Sequence, residues 1–154
     1  MIKRLLPLLV VLSGPAVASQ AQVSVIHGSN EPEVFTVQLN GKSQDLDLRE
    51  SHRYHAAFVD PATKREICRD GEYKTGLVLK LRSLPIEGDE QPVEVVGMVS
   101  SLESIKDGAA IKCGTNQEVA LSNKSLSDTI RLAPNKTKPM VVDGKWTILI
   151  RMQR

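Results

Sequence analysis

The chain has 154 residues, with 20 Lys and Arg against 18 Asp and Glu, for a formal net charge of +2. Hydrophobic residues at 41% and charged residues at 25% describe one globular domain rather than a disordered or multispanning chain. Aromatics make up only 3% (two Phe, two Tyr, one Trp), which argues against base-stacking nucleic-acid modules and aromatic sugar platforms.

Residues 1–18 read MIKRLLPLLVVLSGPAVA. Lys3 and Arg4 form a positive start, Leu5 to Leu12 an apolar run, and Ala16-Val17-Ala18 a small-residue cleavage site, which together predict a cleaved secretory signal. Cleavage after Ala21 is the alternative. The apolar run is too short to span a bilayer as a helix, and the first cysteine is Cys68, so a soluble exported chain without a lipid anchor is expected. The signal holds two basic and no acidic residues, so the remaining chain carries 18 of each sign. Residues 19–107 hold 10 basic and 15 acidic side chains, and 108–154 hold 8 basic and 3 acidic. Two charged surfaces follow if these parts fold apart, and a mixed surface if their strands adjoin.

From residue 19 onward the dominant period is two. Residues 19–32 read as a leader with a possible edge strand at Val23-Ser24-Val25-Ile26, and 33–154 as the β-domain. Phe35, Val37 and Leu39 alternate with polar neighbours, and Asn40-Gly41 predicts a tight hairpin leading to Leu46 and Leu48. Leu77, Leu79 and Leu81 form one strand face, as do Val93, Val95 and Val99, with Gly97 a bulge or close-approach point. Ser101 to Lys106 allows one or two helical turns before Gly108. Thr129 to Leu132 is a further strand. A second hairpin runs from Met140-Val141-Val142 through Asp143-Gly144 to Trp146, Ile148, Ile150 and Met152. Breaks are expected at Asp60-Pro61, Asp70-Gly71, Pro85 to Pro92 and Pro134 to Pro139. The fold class is therefore all-β: an antiparallel sandwich or small barrel of seven or eight short strands.

Cys68 and Cys113 are the two cysteines. In an exported chain they predict a disulfide, which stabilises by about 4 kcal/mol through restriction of the unfolded chain. His52 and His55 are the candidate metal ligands. On a strand the i, i+3 spacing sends their rings to opposite faces, so neither metal nor cofactor is expected. No Gly-x-Ser-x-Gly elbow, phosphate-cradling loop or alternation of strands with helices is present, and the chain does not read as an enzyme. Candidate strands of 5–8 residues interrupted by Lys80, Arg82, Glu94 and Arg131 argue against an independent membrane barrel.

The order of features from Thr75 to Val142 resembles the core β-module of bacterial secretins. It runs Thr75-Gly76-Leu77-Val78-Leu79-Lys80-Leu81, Pro85-Ile86, Val93-Glu94-Val95-Val96, Ser100-Ser101-Leu102, Leu121 to Ser125, Thr129 to Leu132, the Pro134 to Thr137 turn and Met140-Val141-Val142. The chain departs from that family where Asp143-Gly144-Lys145 replaces its Gly-Gly-Leu, and the family's N-terminal domains and lip segment are missing. The resemblance implies a small exported β-protein working beside a secretion, pilus or conjugation apparatus. Together with the export signal it leads to the expectation of a periplasmic or secreted protein with a protein partner in the cell envelope, no nucleic-acid partner and no integral membrane span. Lys136, Lys138 and Lys145 fall on or beside turns and, with Trp146, are the candidate interface. A hydrolase inhibitor acting through a loop from Ile86 to Gln91, and a minor metal-binding protein, are the alternatives.

Overall fold

A computed structural model describes residues 19–153, so the expected signal segment, 1–18, lies outside the described residues. The alternating patterns become eight strands: β1 (Ser19–His27), β2 (Glu33–Leu39), β3 (Gln44–Val59), β4 (Glu66–Ser83), β5 (Gln91–Ile111), β6 (Gly114–Leu132), β7 (Thr137–Val142) and β8 (Trp146–Gln153). They form two antiparallel sheets, a short one in the order β2-β1-β8-β7 and a long one in the order β3-β4-β5-β6. The all-β sandwich expected from the sequence is the fold observed.

The core lies between the sheets and is built by every second residue. Ala21, Val23 and Val25 of β1 and Ile148 and Ile150 of β8 meet Leu77, Leu79 and Leu81 of β4, Val93 and Val95 of β5 and Leu132 of β6. Each large side chain fully withdrawn from water contributes about 1.5–3 kcal/mol. Gly97 is a close-approach point and not a bulge: a β-carbon there would lie 2.8 Å from Leu79 Cδ2 and 3.1 Å from the Val78 carbonyl oxygen. The terminal hairpin is formed as expected, with β7 on β8 and both Asp143 and Gly144 at positive φ in the turn.

Four local expectations are corrected. Asn40-Gly41 does not close a hairpin, because β2 pairs only with β1 and the segment 40–43 carries the chain across to the long sheet. The Gly41 amide instead donates to Ser83 Oγ on β4 at 2.7 Å. The segment 19–32 holds no edge strand: β1 is paired on both sides, to β2 and β8, because both of its neighbours offer matching apolar alternation. Ser101 to Lys106 is strand and not helix, held by β6 through a register shift between Leu102 and Ser104. Asp70-Gly71 is no break either. Gly71 sits mid-strand opposite Tyr54, whose ring covers it, with the place of a β-carbon only 2.4 Å from Tyr54 Cε1; an aromatic laid over a strand glycine restores the packing it lacks.

The strands of the long sheet are also not short. β3 to β6 have 16, 18, 21 and 19 residues, well past the length that argued against a membrane barrel. Strand length therefore does not exclude a barrel, but the ion pairs Lys80–Asp45 and Arg82–Glu94 lie exposed along this sheet, where a lipid-facing band would be apolar. No described helix is long and apolar enough to cross a membrane. The acidic β5 (Glu94, Glu103 and Asp107 against Lys106) pairs along its length with β6, which holds Lys124 and Arg131 beside Glu118 and Asp128, so the charges of the two parts mix in the long sheet.

Pairing between β4 and β5 runs from Ser83–Val93 to Gly76–Ser100 and stops. Gly76 takes a φ of +125°, and a β-carbon there would sit 2.5 Å from the Leu48 carbonyl oxygen. Beyond it the long sheet forks into two ribbons, β3–β4 and β5–β6, each internally paired. Their tips are joined by the Cys68–Cys113 disulfide, 45 residues apart in sequence with a Cα–Cα distance of 6.1 Å. Asn116 Oδ1 and Gln117 Oε1 of β6 accept from the amides of Ala57 and His55 on the free edge of β3.

Two outcomes follow. Replacing both cysteines by serine should lower stability by about 4 kcal/mol in urea unfolding, with hydrogen exchange rising first in the ribbons (51–75 and 101–122) and least in the sandwich. Leu79→Ala should cost about 2–5 kcal/mol in the same assay, spread over both sheets.

Candidate functional site

The short sheet ends where the long sheet forks, and the step between them is a cleft of about 400 Å³. Three sources line it. The end of the short sheet supplies His27, Lys145 and Trp146. The β3–β4 ribbon supplies Glu50, His52, Tyr73 and Thr75, and β5 supplies Ser101 and Leu102. The β3 and β4 residues share one strand face by register, since Glu50 opposes Thr75 and His52 opposes Tyr73. That face is the direct continuation of the core face of Leu46, Leu48, Leu77 and Leu79 past the point where the short sheet can cover it.

The rings in the cleft are held by one another. The His27 and Trp146 rings stack with centroids 4.1 Å apart and planes 7° from parallel. The His52 and Tyr73 rings are 5.0 Å apart, and His52 Nε2 lies 2.7 Å from Thr75 Oγ1. Tyr54 tilts against Tyr73 at 6.3 Å, and farther out Arg69 lies over the Phe58 ring. Four of the five aromatic residues therefore lie along one strip from the cleft toward the ribbon tip. Low aromatic content argued against aromatic binding surfaces; pooling these rings in one place removes much of the force of that argument.

The candidate interface residues divide. Trp146 and Lys145 reach the cleft, while Lys136 precedes β7 and Lys138 lies near its start, at the opposite end of the β7–β8 hairpin. Four residues of β7, Pro139 to Val142, lie between Lys138 and the turn that carries Lys145, so the lysines do not crown one end of the sheet. His52 and His55 face opposite sides, as the strand geometry requires. His52 enters the cleft, and His55 turns to Asp70 at 3.5 Å, beside the disulfide. Among the described residues no group of three or more His, Cys, Asp or Glu side chains is placed to hold a metal. His27, Glu50, Tyr73 and Thr75 were not among the expected site residues. For three of these the available signal was parity, since Glu50, Tyr73 and Thr75 keep step with Leu48 and Leu77.

Two carboxylates steady this end of the molecule. Lys124 of β6 pairs with Asp143 in the turn before Lys145, bridging the sheets beside the cleft and holding the Asp143 carboxyl below its ordinary range. On β3 the Arg49 guanidinium grips Asp47 through two bonds, at 2.7 and 2.6 Å, and lowers its pKa to about 2. Lowered values of this kind favour the folded state above the ordinary carboxylate pKa, and that contribution is lost as pH falls through the lowered value. No known protein family, characterised protein or solved structure matches the chain.

Two measurements check this geometry. The single tryptophan makes emission a direct report on the cleft, so His27→Ala should shift Trp146 emission to the red by uncovering one ring face, and Phe35→Leu should leave it unchanged. In an NMR titration the Asp47 carboxyl should titrate near 2 and return to about 3.9 in Arg49→Ala.

Proposed function

We propose that this is an exported binding protein of the cell envelope, an accessory of a secretion, pilus or conjugation machine, that recognises a protein partner at the cleft. The observation that carries the reading is the gathering of Trp146, Tyr73, His27 and His52 where the short sheet stops. Trp and Tyr side chains in a half-enclosed site are the residues that most often anchor protein interfaces, and Glu50 and Lys145 supply charges of both signs at the rim. The disulfide supports an oxidising compartment, and the signal-like segment 1–18 supports export. The resemblance of residues 75–142 to the secretin core module supports the kind of machine.

A photo-cross-linking residue in place of Leu102, which is 43% exposed at the cleft, tests this in intact cells. The expected outcome is an adduct with a component of such a machine, and none from the same residue at Val34 on the outer face of the short sheet. Equal labelling from both positions contradicts the reading. The exported protein should also begin at Ser19. Cleavage after Ala21 would remove a fully buried residue paired with both Val37 and Met152, and mass spectrometry of the exported form decides between the two.

A second reading, inhibition of a secreted hydrolase, is favoured by the loop between β4 and β5. Glu87 and Glu90 bond each other's backbone, and the Gln91 side chain donates to the Leu84 carbonyl at 2.6 Å. Ile86 stands 67% exposed on this preformed loop. Inhibition of a hydrolase by the wild type that Ile86→Asp abolishes would favour this reading over the first.

A further inference from the structure

A strand at the edge of a sheet presents backbone groups that template another strand, and proteins blunt such edges. Four edges here are blunted. On β2, the Gln44 side chain bonds both the amide and the carbonyl of Gln38, at 3.2 and 2.8 Å. On β3 the amides of Arg49, His55 and Ala57 are taken by Asp47, Gln117 and Asn116. On β6 the Thr129 amide is taken by the neighbouring Asp128 carboxylate. On β7, Pro139 has no amide to offer.

The fork contains an edge with no such device. In an antiparallel ladder, residues alternate between bonding one neighbour and bonding the other. His55 and Ala57 turn their amides away from β4, so their partners Asp70 and Cys68 turn theirs away from β3. The same parity covers Glu72 and Lys74. Above the fork this set of β4 residues bonds β5, as Gly76 and Val78 do through Ser100 and Met98. Below it β5 has left. Among the described residues, no backbone or side-chain hydrogen bond reaches the β5-facing groups of Cys68, Asp70, Glu72 or Lys74.

We propose that this edge of β4, from Glu66 to Thr75, is a strand-addition surface for an extended segment of a partner protein. This rests on the protein-binding reading above and gives it a mode. The added strand would lie where β5 no longer runs and make main-chain bonds to four alternate residues. Its leading end would enter the cleft. Side chains on one face of it would meet Tyr73 and Thr75 and so favour apolar groups. Those on the other would lie beside Glu72 and Asp70, with Lys74 the nearest counter-charge, and so favour polar or basic groups. The partner segment is therefore an extended stretch of up to about ten residues in which apolar and polar or basic residues alternate.

The test uses the disulfide-bonded protein and a displayed library of random ten-residue peptides, with two variants. Glu72→Pro removes one outward amide while the β3–β4 bonds remain. Glu72→Ala changes the side chain alone. Both should keep the far-ultraviolet spectrum and urea midpoint of a folded protein; should Glu72→Pro fail this check, Lys74→Pro takes its place. The expected result is enrichment of alternating peptides that bind the wild type and Glu72→Ala equally and bind the proline variant at least tenfold more weakly. No enrichment, or peptides that bind the proline variant as well as the wild type, overturns the proposal. A dimer of the wild type in ultracentrifugation that the proline variant abolishes also overturns it, by making a second copy the occupant. Failure here with Leu102 cross-linking intact leaves the cleft as a binding site and removes only strand addition.

Discussion

The molecule is organised by one interruption: the ladder between β4 and β5 stops at Gly76 and Ser100. Up to that pair the long sheet is a sheet, covered on its inner face by β1 and β8 and closed over a core of Leu, Val and Ile. Past it the same strands continue as two ribbons with no second sheet beneath them. Their apolar alternation therefore changes into a row of rings, in which His52 stacks on Tyr73, Tyr54 tilts against Tyr73 and Phe58 lies under Arg69. A glycine is needed at the branch because the backbone there takes a left-handed φ and approaches Leu48 too closely for any side chain.

The ribbons on their own would be poorly secured, since a two-stranded hairpin is marginal in water. The disulfide at their tips and the amide bonds from Asn116 and Gln117 to β3 together join what the missing ladder leaves apart. The constraint acts mainly on the unfolded chain, by closing a loop of 45 residues. The cleft lies at the base of the fork, and the open β4 edge runs from it toward the half-cystine Cys68 at the tip. The staple thus holds the far end of the same edge whose near end opens into the cleft.

Much of the sandwich was legible in the sequence. Alternation at Leu77, Leu79 and Leu81, and at Trp146, Ile148 and Ile150, placed those residues on inward faces because burial on one side of a strand imposes a period of two. The Asp143-Gly144 hairpin was legible because its turn demands positive φ at both positions. Asn40-Gly41 misled because a Gly tolerant of positive φ also serves a crossover between sheets, and only long-range pairing decides which. Asp70-Gly71 misled because its compensation, the Tyr54 ring, comes from another strand. The site itself was half visible: Trp146 and His52 were named, but His27 and Tyr73 join them only through the offset between a short sheet and a long one, which no local pattern encodes.

The end of the ladder at Gly76 is the claim on which the fork, the cleft and the open edge all depend, and amide hydrogen exchange resolved along β4 tests it most directly. Above the branch, Gly76, Val78, Lys80 and Arg82 bond β5, so their amides should exchange slowly. Below it exchange should alternate, fast at Cys68, Asp70, Glu72 and Lys74 and slow at Arg69, Gly71, Tyr73 and Thr75, which bond β3. Uniform protection from residue 66 to 83 would mean that β4 is paired on both sides throughout, and would contradict the account.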